Sequence, residues 1–115
     1  MKIKTNELSG RALDWAVAKC ENRDLLNIYG GTQMAFCPHY SADWFDGGQI
    51  IERERICIYF TDDGEYSAAA IWKAAFGGGQ LIAKSNKCQT PLIAAMRCYV
   101  ASKLGDEVEV PEELS

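Results

Sequence analysis

Between residues 40 and 53 the chain gathers aromatic rings, a glycine pair and charged groups: Tyr40, Asp43, Trp44, Gly47, Gly48, Glu52 and Arg53. These types suit a polar ligand that carries a ring. Tyr40 and Trp44 offer flat apolar surface for stacking, and Gly47-Gly48 lets a backbone approach closely. The Asp43 and Glu52 carboxylates accept from a sugar or base edge, while the Arg53 guanidinium matches a phosphate bidentately. Farther along, Thr90-Pro91 opens a helix whose first N–H groups and Thr90 hydroxyl suit an anion. Arg97 follows in the same helix, where a ligand competes with Glu52, Glu54 and the acidic chain end for its guanidinium. This set predicts a pocket for a small nucleotide-derived molecule near residues 40–53, with no cofactor. Each residue also has a purely structural use. Thr-Pro starts cap helices, a Trp beside a glycine pair packs over a core edge, and Trp15 and Trp72 are expected in the core.

Support for catalysis is thinner. His39 is the sole histidine, so a Cys-His or Ser-His couple has one base to draw on, and Asp43 with Glu52 lacks an orienting third group. The unit Cys37-Pro38-His39 has no second ligand pair at zinc spacing. No catalytic residue and no metal is expected. Five cysteines, Cys20, Cys37, Cys57, Cys88 and Cys98, make an odd set without short-range pairing, which fits a reducing compartment better than a disulfide framework.

With 115 residues, 48% hydrophobic and 24% charged, the chain has the size and composition of one globular domain. No apolar run approaches the ~18 residues of a membrane span, so a soluble, cytoplasmic protein without membrane contact is expected. The net charge of −4 is uneven. Residues 106–115 hold five acids and no base, leaving residues 1–105 at +1. A near-neutral body without a basic stripe argues against nucleic-acid binding.

Two helices are read with the clearest signals. In residues 9–21, Ser9 is a good N-cap and Leu13, Ala16, Val17 and Cys20 recur at helical spacing, with Arg11, Asp14 and Lys19 expected to face water. In residues 91–104, Thr90 caps, Pro91 starts and Gly105 stops a helix apolar around much of its girth. Between them, 25–36 reads as a hairpin, Leu25–Tyr29 and Thr32–Phe36 about Gly30-Gly31, and 37–49 as a loop. Ile56, Ile58 and Phe60 alternate like a strand, and Asp62-Asp63-Gly64 signals a hairpin turn. That turn makes 65–75 the partner strand, although its alanines would equally suit a helix. Residues 80–84 add a third strand. The expected architecture is α+β: a small antiparallel sheet against two helices, as a single domain over 1–105 with a mobile acidic tail at 106–115, in which Val108 and Val110 form a short extended piece before Pro111.

Three blocks also resemble a known family. They are Ser9-Gly10-Arg11-Ala12-Leu13-Asp14-Trp15-Ala16-Val17-Ala18; Tyr40-Ser41 with Asp43-Trp44, Gly47-Gly48 and Ile50-Ile51-Glu52-Arg53-Glu54; and Thr90-Pro91-Leu92-Ile93-Ala94-Ala95-Met96-Arg97, continuing from Gly105 to Pro111. Together they resemble the NinX-like proteins of tailed bacteriophages and prophages. Gln49, where a proline is usual, and Cys88-Gln89, where Gly-Pro is usual, depart from that pattern. The resemblance implies a phage accessory protein acting in the bacterial cytoplasm, and it supplies no reaction. Two functions fit. One is a non-enzymatic binder that sequesters a nucleotide-like host-defence signal. The other is an interaction module that docks on a host or phage protein through the aromatic loop and acidic tail. The small size and the wide apolar C-terminal helix further suggest a homodimer.

Overall fold

The computed structural model describes residues 1–21, 37–62, 64, 66–75 and 78–111. The expected hairpin at 25–36 lies outside them, as do residues 112–115. Strand β1 (Lys2–Lys4) leads through a 3-10 turn into helix α1 (Gly10–Cys20), followed by α2 (Trp44–Glu54), β2 (Cys57–Phe60), β3 (Ser67–Ala75), β4 (Gly78–Lys84), α3 (Pro91–Leu104) and β5 (Glu107–Glu109). The fold is α+β, as expected. Three helices are present among the described residues where two were expected.

Helix α3 is the centre of the core. Leu92, Ala94, Ala95, Met96, Cys98, Tyr99 and Val100 are all buried, because α1, α2 and the three-stranded sheet each take one side of it. A helix apolar all round belongs in such a place. Thr90 accepts from the Ile93 N–H at 3.1 Å, and Gly105, at φ 86°, ends the helix in a conformation that a side chain would strain. The apolar girth that suggested a dimer is thus consumed within the chain.

Helix α2 corrects the loop expected at 37–49. The Asp43 carboxylate accepts from the Phe45 N–H at 2.8 Å as an N-cap, and Asp46 accepts from the His39 N–H at 3.0 Å. The glycine pair concealed the helix, since glycine is a poor helix former and leaves an apolar stripe with gaps. Here the gap is the contact surface. Gly47 is buried, and a Cβ placed on it would overlap the Tyr40 carbonyl and stand 2.7 Å from Leu92 Cδ1. Glycine at this position is what lets α2 lie against the first turn of α3.

Helix α1 buries every residue from Ala12 to Ala18, including Asp14, which was expected in water. The Asp14 carboxylate is needed inside: Oδ1 accepts from the Ser41 N–H at 2.9 Å and the Ser41 hydroxyl at 2.7 Å. It therefore ties the turn that enters α2 to the middle of α1. Burial pushes its pKa above the ordinary value, against the opposing pull of the Ser41 bonds.

Strands β2, β3 and β4 form an antiparallel sheet in that order. The Thr61 N–H donates to the Tyr66 carbonyl at 2.9 Å and the Gly64 N–H to the Thr61 carbonyl at 2.9 Å, closing the hairpin that makes the alanine-rich segment a strand. A bulge in β4 shifts the register, so that Ile71 faces Ala83 while Trp72 faces Leu81. The extended piece expected around Val108 within the acidic end is β5, which pairs antiparallel with β1: Lys2 with Glu109, Ile3 with Val108, Lys4 with Glu107. Opposite charges meet across the ladder, Val108 and Val110 are buried, and the terminal ammonium of Met1 binds Glu109 Oε1 at 2.9 Å. The alternation of Val108 and Val110 with acids is a strand pattern that outweighs the charge.

Candidate functional site

Two of the nine expected site residues line one concavity. Tyr40 and Arg53 share a hollow of about 250 Å³ with Glu21, Pro38, Phe45 and Asp46. Gln49 and Ile50 of α2 complete its wall. Arg53 is already engaged there. Its Nη1 and Nη2 donate to the two Glu21 carboxylate oxygens at 2.9 and 2.7 Å, and its Nε donates to Glu54 at 2.9 Å. The fork that was expected to hold a phosphate thus holds a resident carboxylate. The hydrogen bonds that Glu21 and then Glu54 accept raise the Arg53 pKa further above its already high ordinary value. Beneath the guanidinium lies the Tyr99 ring, 5.9 Å from its centre, and the Tyr99 hydroxyl donates to Glu21 Oε2 at 2.7 Å. Burial, then Glu21, pushes the Tyr99 hydroxyl well above its ordinary pKa. This triad joins the end of α1, the end of α2 and the middle of α3.

Tyr99 is 2% exposed, and its bond to Glu21 is a part-buried bond to a charged acceptor. Tyr99→Phe should cost about 1.5 kcal/mol, read as a lower urea midpoint at unchanged slope; a loss below about 0.5 kcal/mol would show the bond to be energetically idle.

The other expected residues are scattered. Asp43 caps α2, and Trp44 projects from its start, 54% exposed. Gly47 is the contact with α3, while Gly48 has room, with Trp44 Cε3 at 3.7 Å from its would-be Cβ. Glu52 is exposed on α2, and Thr90 is spent as a cap. Among the described residues Arg97 bonds elsewhere than to Glu52, Glu54 or the acidic end: its Nε donates to the Leu8 carbonyl at 2.7 Å and its Nη1 to Cys88 Sγ at 3.3 Å. The helix turns Arg97 toward the 3-10 turn, away from α2, and a buried carbonyl there needs a donor.

A larger cleft of about 520 Å³ lies beside β4, lined by Asn6, Ile82, Lys84, Asn86, Ala101 and Asp106 among others. Asn6 and Asn86 are tied across it at 3.3 and 3.4 Å. None of the expected residues reaches it. Burial also pushes the Cys20 thiol to about 11 and Cys98 to about 12, so neither is a thiolate at neutral pH. Among the described residues no group of three or more metal-ligating side chains converges, and no helix is long and apolar enough to cross a membrane.

What residue patterning missed is the outer face of the sheet. Ile58, Ala69, Ile71 and Ala83 face the helices; Tyr59, Trp72 and Leu81 face away. Trp72, expected in the core, is 49% exposed. Its Nε1 donates to the Tyr59 hydroxyl at 3.2 Å, and Ala70, on the same outer register, is only 6% exposed. The would-be Cβ of Gly79 is 3.6 Å from Trp72 Cε3, so the indole extends over β4 as well. The result is a flat aromatic surface fixed by its own hydrogen bond, uncovered among the described residues. The signal was present in the sequence: Tyr59 with Ala68, Ala70 and Trp72 leaves neither side of the hairpin polar. A half-solvated antiparallel sheet normally shows a polar face.

Fold and surface together define a small α+β domain built around a buried helix, with a sheet that is bare on one side among the described residues. Its sequence family is a phage one. The family model described as Bacteriophage P22, NinX matches residues 4–103, and the chain belongs to that family. No curated protein matches the chain.

Proposed function

We propose that this phage-family protein is a non-catalytic interaction module that docks on a host or phage protein through the outer face of its sheet. The observation that carries this reading is the fixed, half-exposed Tyr59–Trp72 pair beside Leu81. Tyr and Trp dominate the energetics of protein interfaces, and rings already held in place lose little entropy on docking. The test is capture from host lysate by the wild-type chain and by Trp72→Thr, a substitution that keeps strand propensity. A partner retained by the wild type and lost by the variant, at unchanged melting temperature, is the expected result. Equal capture by both would sink the reading.

A second reading, sequestration of a nucleotide-derived ligand, draws on the hollow that joins Tyr40, Phe45, Gln49 and Arg53. Its electrostatics are less favourable to a phosphate, because Glu21 occupies the Arg53 fork and Asp46 adds a second carboxylate to the wall. Any such ligand must displace Glu21 or bind through its ring. A nucleotide that raised the melting temperature of the wild type, and not of Arg53→Ala, would favour this reading over docking.

A further inference from the structure

Resting on the docking reading above, we infer that a second copy of this chain covers the Tyr59–Trp72–Leu81 face when no other protein does, stacking the two three-stranded sheets face to face. The face is self-complementary in relief. Tyr59 leans toward Trp72 to accept its indole N–H, which leaves Ala68, the cross-strand partner of Tyr59, as a low, partly exposed floor beside the raised rings. A twofold axis sets the rings of one copy over the Ala68 floor of the other, as isologous interfaces require.

Charge permits the contact. On the outer register the charged side chain is Lys84, opposite Ala70 at the end of β4, where its ammonium can stay in water. Residues 1–105 carry +1 and the full chain −4, a repulsion between copies that salt screens. Area sets the strength. Tyr59, Tyr66, Trp72 and Leu81, each about half exposed, offer about 400 Å² of side-chain surface per copy. With the strands around them the pair reaches about 1,000 Å², the lower bound for a specific interface. The dimer is therefore weak and concentration-dependent.

Sedimentation of the full chain from micromolar to near-millimolar concentration tests this. The wild-type mass should rise from 12.7 kDa toward twice that value, while Trp72→Thr stays at the monomer mass with an unchanged circular dichroism spectrum. Trp44→Thr, which removes an exposed ring elsewhere, should dimerise like the wild type. If Trp72→Thr does not fold, Leu81→Lys on the neighbouring strand takes its place. A wild type that stays monomeric, or a dimer that survives both face variants, overturns the inference. A monomeric wild type whose capture of a partner is still lost in Trp72→Thr leaves the docking reading standing; a Trp72-dependent dimer that captures nothing else removes that reading alone.

Discussion

Gly47→Ala is expected to lose about 3 kcal/mol or more of stability, the upper range for forcing an extra carbon into a packed site. The added Cβ meets two walls at once, the Tyr40 carbonyl and Leu92 Cδ1. The first is backbone and cannot rotate away. The second is a buried side chain at the start of α3, so relief means shifting α2 against both the turn that precedes it and the central helix. In a domain whose total stability is on the order of 5–15 kcal/mol, that is a large fraction. Gly48→Ala is the internal control. Its Cβ makes an ordinary contact with Trp44 at 3.7 Å, and replacing a mid-helix glycine should add up to about 1 kcal/mol. Urea unfolding of the two variants should therefore move in opposite directions. Two equal shifts would mean that the α2–α3 contact is looser than its geometry requires.

The second large effect is expected at Asp14. Removing its carboxylate in Asp14→Ala leaves the Ser41 N–H and hydroxyl without their buried acceptor, at a cost of about 2 kcal/mol. It also frees the turn that launches α2. Asp14→Asn keeps an acceptor oxygen and should lose less. The pH dependence separates the two roles of the acid. Its folded pKa lies above the ordinary 3.8 because burial outweighs the Ser41 bonds, so the folded chain holds this proton more tightly than the unfolded chain. The contribution of Asp14 is thus complete below 3.8 and declines as pH rises through the raised value. Wild type should lose stability relative to Asp14→Asn over that window, and the Asp14 carboxyl carbon should titrate above 3.8. A midpoint below it would show that the hydrogen bonds dominate.

Part of this architecture was legible because its signals are local. Thr90, Pro91 and Gly105 bracket α3 within one stretch of chain, and the turn at Asp62–Gly64 decides that an alanine-rich segment is a strand. The candidate site was harder to read. Tyr40, Trp44 and Arg53 were singled out by residue type, but a list of residue types does not say who holds whom. Arg53 is spoken for by Glu21, 32 residues away, Asp14 by Ser41, 27 residues away, and Arg97 by Leu8, 89 residues away.

Caps, turns and alternation, acting over a few residues, were enough to identify the α+β class, helices α1 and α3, and the hairpin of β2 and β3, while the resemblance to a phage family rested on three blocks of residues. Three features depended on the folded chain: that Gly47 is the close face of a third helix, that Arg53 closes on a carboxylate rather than waiting for a phosphate, and that Trp72 looks outward. Alternation states that two faces of a strand differ, yet only the helix packed against one of them settles which is inside. Here α3 lies over Ala69 and Ile71, and that choice turned the aromatic register of β3 out toward solvent.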